Sequence, residues 1–262
     1  MKQELKDFKF KGKVNNQEIR GNTYKEFVIN YLTELYNQYK NLDISDRLNA
    51  YINYFVNNFH YDSSLRDQIL SHSFNETREN REQSLFELFY NGKGVCDQLA
   101  QAFSLLGTID PIWKKNIVVE YATCNLMING KKISHAVNHI VVGNQRFVLD
   151  LSTMIHCKQK DKGYKANSND FKLISMEQYV NSLSSIGIDL IPFESDIYFA
   201  NLYLHIEPDE YFKRLTTPTD EINSQHTDWI QPGITIVNHT LNKNWFIFSL
   251  LSIDKILVLD II

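Results

Sequence analysis

The stretch Asn91-Gly92-Lys93-Gly94-Val95-Cys96-Asp97-Gln98-Leu99-Ala100 decides how this chain is read. Two glycines shortly before a cysteine permit a tight approach to it. Leu99, Phe103 and Leu106 then fall at i, i+4 and i+7, the spacing of a helix that begins close to Cys96. A thiol at a helix start sits at the positive end of the helix dipole. That position favours the thiolate, which is the nucleophilic form. The competing reading is a small buried hydrophobe, the common fate of a free cysteine. The flanking sequence has to choose between them.

Downstream, the pattern turns to strands. Ile117 to Ile128 is strand-like, and Asn129-Gly130 is a strong hairpin-turn signal. His135 to Val142 is a second strand, Gly143-Asn144 a second turn, and Gln145 to Asp150 a third strand. With a two-residue turn at Gly143-Asn144, Val142 faces Gln145, Ile140 faces Phe147 and His139 faces Val148. Continued further, Val137 faces Asp150 and His135 faces Ser152. Directly opposed residues share a face, so His135, His139 and Asp150 point to one side of the sheet. Asp150 is diagonal to both histidines. The alternation places an imidazole beside a carboxylate without choosing which one. A reactive cysteine needs such a base, and the base needs such an orienting group. His135-x-x-x-His139 also has the spacing of a helical zinc pair. On a strand it spans about 13 Å, too far for one tetrahedral ion. No metal and no cofactor is expected.

Upstream of the cysteine the chain is helical. Tyr24, Phe27, Val28, Tyr31, Leu32, Leu35 and Tyr36 mark one helix, and Leu48, Ile52, Phe55, Val56 and Phe59 a second, with Ser45 as a candidate N-cap. Residues 62–82 are polar. A third helix is expected from near Gln83 to the stop at Asn91-Gly92. Beyond the hairpins, a helix is expected over Met176 to Ser184, and Pro208, Pro218 and Pro232 punctuate the tail. Helices followed by antiparallel strands make an α+β fold. The division expected is a polar arm over 1–22, a core over 23–160 and an extension of the same globule over 161–262.

Here the residues carry a resemblance. Gly94-Val95-Cys96 followed by Ala100 and Phe103 resembles the cysteine motif of the transglutaminase-like superfamily. His135-Ala136-Val137-Asn138 resembles that family's His-Ala-Trp-Asn segment. Phe147-Val148-Leu149-Asp150 resembles its aromatic-x-x-Asp strand, and His135 precedes Asp150 by 15 residues as in the family hairpin. Phe59-His60-Tyr61-Asp62 resembles its Tyr-Asp element. The likeness covers roughly residues 45–155. It departs at Val137, where the family has Trp, at Leu151-Ser152, where Pro-Thr is frequent, and at His139, where many members are acidic. The resemblance implies a papain-like fold, with the cysteine helix packed on an antiparallel sheet. It implies Cys96 as nucleophile, His135 as general base and Asp150 as orienting acid. It also implies an acyltransferase or hydrolase that attacks carboxamide or peptide carbonyls through a thioester, on a protein or peptide substrate.

Two other classes stay open. Arylamine N-acetyltransferases use the same three residue types on a related fold, but normally carry Arg-Gly-Gly before x-Cys. Here the run is Gly92-Lys93-Gly94. A catalytically inactive interaction module with the same fold is the other. For an oxyanion hole the Cys96 backbone N–H is one candidate donor, and Tyr61 and Gln98 are candidates for the second.

Composition narrows the setting. Of 262 residues 43% are hydrophobic, enough for one full core or for a core plus a smaller second unit. Lys+Arg 27 against Asp+Glu 31 leaves a net charge of −4, which excludes a polybasic nucleic-acid binder. Three cysteines, Cys96, Cys124 and Cys157, have no short spacing and form neither a disulfide framework nor a zinc knuckle. Cys124 reads as core. No apolar run marks a signal peptide or a membrane span. The expected location is cytoplasmic, or outside the cell without a classical signal peptide. The apolar run Trp245 to Ile262 reads as a buried helix or strand, Trp229 and Trp245 as core, and Asn238-His239-Thr240 as a glycosylation pattern without a secretory route.

Overall fold

In the computed structural model, residues 8–71, 78–142, 145–160 and 168–191 are described, together with Pro208. They all belong to the first of two units, 1–216 and 217–262. The Gly143-Asn144 turn, the tail beyond Pro208, Trp229, Trp245 and the Asn238-His239-Thr240 pattern lie outside the described residues.

The polar segment 1–22 holds a hairpin, β1 (Phe10–Val14) and β2 (Gln17–Gly21), in antiparallel register from Phe10↔Gly21 to Val14↔Gln17. Asn15 takes the left-handed conformation that this two-residue turn requires, with φ 51. Phe10 reaches into an aromatic cluster with Tyr24, Phe27, Phe86 and Tyr90, and so fastens the hairpin to two helices. The first of these is α1 (Tyr24–Tyr39), capped by the Thr23 side chain. Its predicted face, Phe27, Val28, Tyr31, Leu32 and Leu35, is buried.

Helix α2 (Ile44–Asn58) starts two residues earlier than a Ser45 cap implies, because Asp43 is the cap and accepts the Asp46 N–H. An aspartate cap satisfies the same orphan donor and also favours the positive helix end. Its Arg47 is 1% exposed and forks onto Asp110, which is fully buried, at 2.9 and 3.0 Å. Tyr51 also donates to Asp110, and Arg47 donates to the Lys40 and Leu42 carbonyls. This network ties the α1–α2 corner to the far end of the cysteine helix.

The polar stretch after Asp62 resolves into α3 (Ser63–Leu70), with no buried residue, and α4 (Arg78–Asn91). Two short strands, β3 (His60–Tyr61) and β4 (Lys93–Gly94), run parallel, His60 beside Lys93 and Tyr61 beside Gly94. Helix α5 (Cys96–Ile109) follows, and then the single turn α6 (Trp113–Asn116).

The main sheet is antiparallel with order β7-β6-β5-β8: β5 (Ile117–Ile128), β6 (Lys131–Val142), β7 (Gln145–Leu149) and β8 (Ile188–Ile191). Asn129 and Gly130 both take positive φ, 51 and 74, as the turn signal demanded. The β6–β7 register is Val142↔Gln145, Ile140↔Phe147 and His139↔Val148, as expected from the two-residue turn. It ends at Asn138↔Leu149. The expected pairs Val137–Asp150 and His135–Ser152 do not form, because Asp150 leaves the strand to cap α7 (Leu151–Gln159). A 3₁₀ turn over Ser168–Phe171 and α8 (Met176–Ser185) complete the described fold.

Helix α5 lies on β5 and β6. Ser104 donates to the Val119 carbonyl at 3.1 Å, and Asn138 donates to the Ala100 carbonyl at 2.9 Å. Tyr121 donates to Asp97 at 2.5 Å. Each bond joins a helix residue to a strand residue, so the helix cannot slide along the sheet. The chain is therefore a mixed helix-and-sheet protein with the cysteine helix against antiparallel strands. Among the described residues, no helix is long and apolar enough to cross a membrane.

Candidate active site

Cys96 is the first residue of α5 and is partly exposed. Its N–H belongs to the first helical turn, where backbone donors have no partner within the helix. The approach to it is shaped by two glycines for different reasons. Gly92 has φ +69, a region that side chains rarely adopt. Gly94 has no such φ. A Cβ there would sit 2.7 Å from Gln98 Oε1 and 2.8 Å from Leu88 Cδ1, so a side chain would have to push the ends of both aside.

Gln98 explains that crowding. Its Oε1 accepts the Val95 N–H at 2.9 Å, and its Nε2 donates to the Ser84 carbonyl at 2.7 Å and Ser84 Oγ at 3.0 Å. The side chain latches the turn before Cys96 to α4. With both ends engaged, Gln98 has no donor free for an oxyanion. That removes one of the two candidates named from the sequence.

His135 stands on β6, and Asp150 accepts its Nε2 at 2.8 Å. The neighbouring Cys96 interacts with the same imidazole by charge and by hydrogen bonding. Nε2 is occupied by the carboxylate, so Nδ1 is the nitrogen left for the thiol. Burial alone would lower the His135 pKa. The charges of Asp150 and Cys96, and the hydrogen bonds to both, carry it well above the usual histidine range.

Asp150 is 0% exposed and receives an unusual number of donors. Oδ1 accepts Ser152 Oγ and the Thr153 N–H, both at 2.9 Å. Oδ2 accepts His135, Thr153 Oγ1 at 2.8 Å and Tyr179 Oη at 2.9 Å. Burial pushes the carboxyl up, but the His135 charge and these hydrogen bonds outweigh it and hold the pKa at about 2. Asp150 is thus a fixed anion. Its Asp150-x-x-Thr153 spacing is an N-cap signal that the strand reading passed over. Tyr179 was not anticipated; nothing in Met176–Ser184 distinguishes it from a helix core residue.

His139, the second histidine considered, stands four residues further along β6 and meets a different carboxylate. Its register partner is Glu120, and the two lie 3.5 Å apart at Nδ1–Oε2. Arg146 reaches the same Glu120 at 3.2 Å. So β6 carries its two histidines to two different carboxylates, Asp150 and Glu120. The end of β7 at Leu149, with Asp150 turned into the α7 cap, breaks the symmetry that flat alternation leaves open.

Tyr61 completes the neighbourhood. Its ring packs edge-on against His156, with centroids 5.4 Å apart, and its N–H donates to Gln159. Burial, and then the nearby Cys96 charge, raise its pKa to about 12, so it stays a protonated donor. Cys124 lies opposite His135 in β5 and is 1% exposed. Cys157 is half-buried, and burial together with Asp150 and Asp170 pushes it up to about 11. Among the described residues, no group of three or more His, Cys, Asp or Glu side chains is arranged to hold a metal ion.

Comparisons with known proteins give distant likenesses. No family model matches the chain, and no curated protein does. Among solved structures, a TGase aligns at TM-score 0.38 and 14% identity over 63% of this chain and 38% of its own. A candidate cysteine protease from Cytophaga hutchinsonii aligns at TM-score 0.34 and 17% identity, over 50% of this chain and 39% of its own. The chain spans well under half the length of either.

Proposed function

We propose that this chain is a transglutaminase-like cysteine enzyme that attacks carboxamide or peptide carbonyls of a protein or peptide substrate. Cys96 is the nucleophile, His135 the general base and Asp150 the orienting acid. The observation that carries the reading is the 2.8 Å His135–Asp150 pair beside the cysteine that opens α5. A structural ion pair would not need a thiol at its open side.

The steps follow from the groups present. The Cys96 sulfur attacks the carbonyl carbon while its proton rests on His135. The Cys96 N–H stands as one donor to the developing oxyanion, and the Tyr61 hydroxyl is the remaining candidate for the second. The C–N bond breaks, and His135 gives its proton to the departing amine or ammonia. The thioester is then taken by a lysine amine, giving a crosslink, or by water, giving deamidation or cleavage. In the second half His135 removes the acceptor's proton and returns it to sulfur. Asp150 stays ionised throughout and fixes the tautomer in which Nε2–H points at it.

The test is incubation with a fluorescent primary amine and a glutamine-rich protein. Amine incorporation, ammonia release and proteolysis are read in the same samples, with Cys96→Ala as control. Cys96-dependent product in any channel supports the reading and names the acceptor. Absence of all three, together with acetyl transfer to Cys96 from acetyl-CoA, would replace it by the N-acetyltransferase class.

A further inference from the structure

Asp150 Oδ2 is asked to accept three hydrogen bonds, from His135 Nε2 at 2.8 Å, Thr153 Oγ1 at 2.8 Å and Tyr179 Oη at 2.9 Å. A carboxylate oxygen offers about two lone-pair sites. Oδ1 meanwhile holds Ser152 and the Thr153 N–H, which is a normal load. The crowding is therefore confined to the oxygen that faces the imidazole. Thr153 cannot leave easily, since its backbone N–H is bound to the same carboxylate as an N-cap. Tyr179 comes from elsewhere. It is carried by α8, which is set against the strand by the Val148↔Ile174 bridge and by the Asp150 N–H on the Phe171 carbonyl at 3.0 Å. It is 0% exposed, and its ring sits edge-on to the buried Phe171.

We propose that Tyr179 is a positioning residue that competes with His135 for Asp150 Oδ2 and so limits how tightly the carboxylate holds the imidazole. This rests on the proposed function for its catalytic meaning. A base that must later release its proton to a leaving amine works best when that proton is not held too firmly. Each donor on Oδ2 disperses negative charge that would otherwise fall on the imidazolium. A lone Asp–His pair in a buried site would trap the proton. The Tyr179 hydroxyl stays protonated, because burial and the adjacent Asp150 push its pKa well above the usual tyrosine range. It is therefore a permanent donor across the working pH range.

The ionisable groups around the pair come from every side. Cys96 on α5 and Asp150 raise His135. Tyr61 on β3 feels Cys96, His135 and Asp150. Cys124 on β5 acts on Tyr179, and Cys157 on α7 feels Asp150. Of these, Tyr179 alone donates to Asp150 without being the imidazole or part of its own N-cap turn.

The experiment is NMR titration of the full chain labelled in histidine, with His135 assigned among the eight histidines by loss of its signal in His135→Ala. Tyr179→Phe keeps the ring and removes the hydroxyl. The His135 pKa is expected to rise by about half a unit or more, a fraction of the ~1–3 units that a full charge partner produces. Site-specific 3-fluorotyrosine at 179, a stronger and nearly isosteric donor, should move it down. That second variant decides the question if Tyr179→Phe does not fold. A merely space-filling tyrosine moves neither. No shift, or a fall in Tyr179→Phe, overturns the proposal. The titration needs no turnover, so failure of the enzymatic reading shows separately, as no thioester on Cys96 of the unaltered protein.

Discussion

Replacing Asp150 by Asn is the most informative single perturbation of the fold and the site together. The carboxylate meets five donors on two oxygens. Asparagine offers one oxygen and turns an NH2 toward the rest. At least two buried donors then lose an acceptor, at about 1–3 kcal/mol each, so the expected loss is about 3 kcal/mol at pH 7. Part of this depends on pH. The drop of the Asp150 pKa from 3.8 to about 2 is equivalent to about 2 kcal/mol. A depressed acid contributes above its unfolded pKa and loses that contribution as pH falls through its folded value. The difference between the two proteins should therefore be fullest from about pH 5 to about 6.5 and shrink between about pH 4 and pH 2. His135 acts at the other end. Its raised pKa contributes stability that is complete below about 6.5 and fades as pH climbs through the folded value. Urea unfolding of both proteins at a series of pH values reads out the whole curve. A difference below about 1 kcal/mol at pH 7, or one unchanged down to pH 3, refutes the account of Asp150 as a buried, multiply bonded anion.

Low concentrations of iodoacetamide at neutral pH should label Cys96 first, since Cys124 is 1% exposed and Cys157 is held near 11; peptide mass spectrometry showing equal labelling would remove the case for an activated thiol. His135→Ala should slow that alkylation sharply and abolish turnover, while His139→Ala, whose partner is Glu120, should leave the Cys96 pH profile in place; the reverse result would make His139 the base. Arg47→Ala should cost about 3–5 kcal/mol by stranding the buried Asp110 charge, measured by chemical denaturation; a loss under about 1 kcal/mol would mean the Arg47 fork is not holding the corner.

How much of this was legible in the chain depended on whether the signal was local. Helices α1 and α5 and strand β5 follow from apolar spacing alone, and the β6–β7 register follows from a two-residue turn. Flat alternation failed where the chain left the strand. Asp150 reads equally well as a strand end or a helix cap, and only its bonds to Ser152 and Thr153 show the cap. The β1–β2 hairpin was hidden because half its residues face solvent, so the apolar alternation is weak; the Asn15-Asn16 pair was its one turn signal. Arg47, Asp110 and Tyr179 carry no local mark. Each is defined by a partner far away in sequence, 63 residues for Arg47–Asp110 and 29 for Tyr179–Asp150. Periodicity cannot report a pairing of that kind.

The path of the chain through these contacts also sets when the donor set of Asp150 can be complete. Cys96 is made long before Asp150, and Asp150 before Tyr179. At about 5–20 residues per second of synthesis, the cysteine helix waits several seconds before the last donor to its acid emerges. During that interval the imidazole has either no anion or an anion without its full set of donors. A chain stopped before α8 would hold Cys96, His135 and Asp150 and still lack the Tyr179 donor. The donor set of Asp150 is therefore completed by the last-made of the elements that surround it, long after the helix that opens at Cys96.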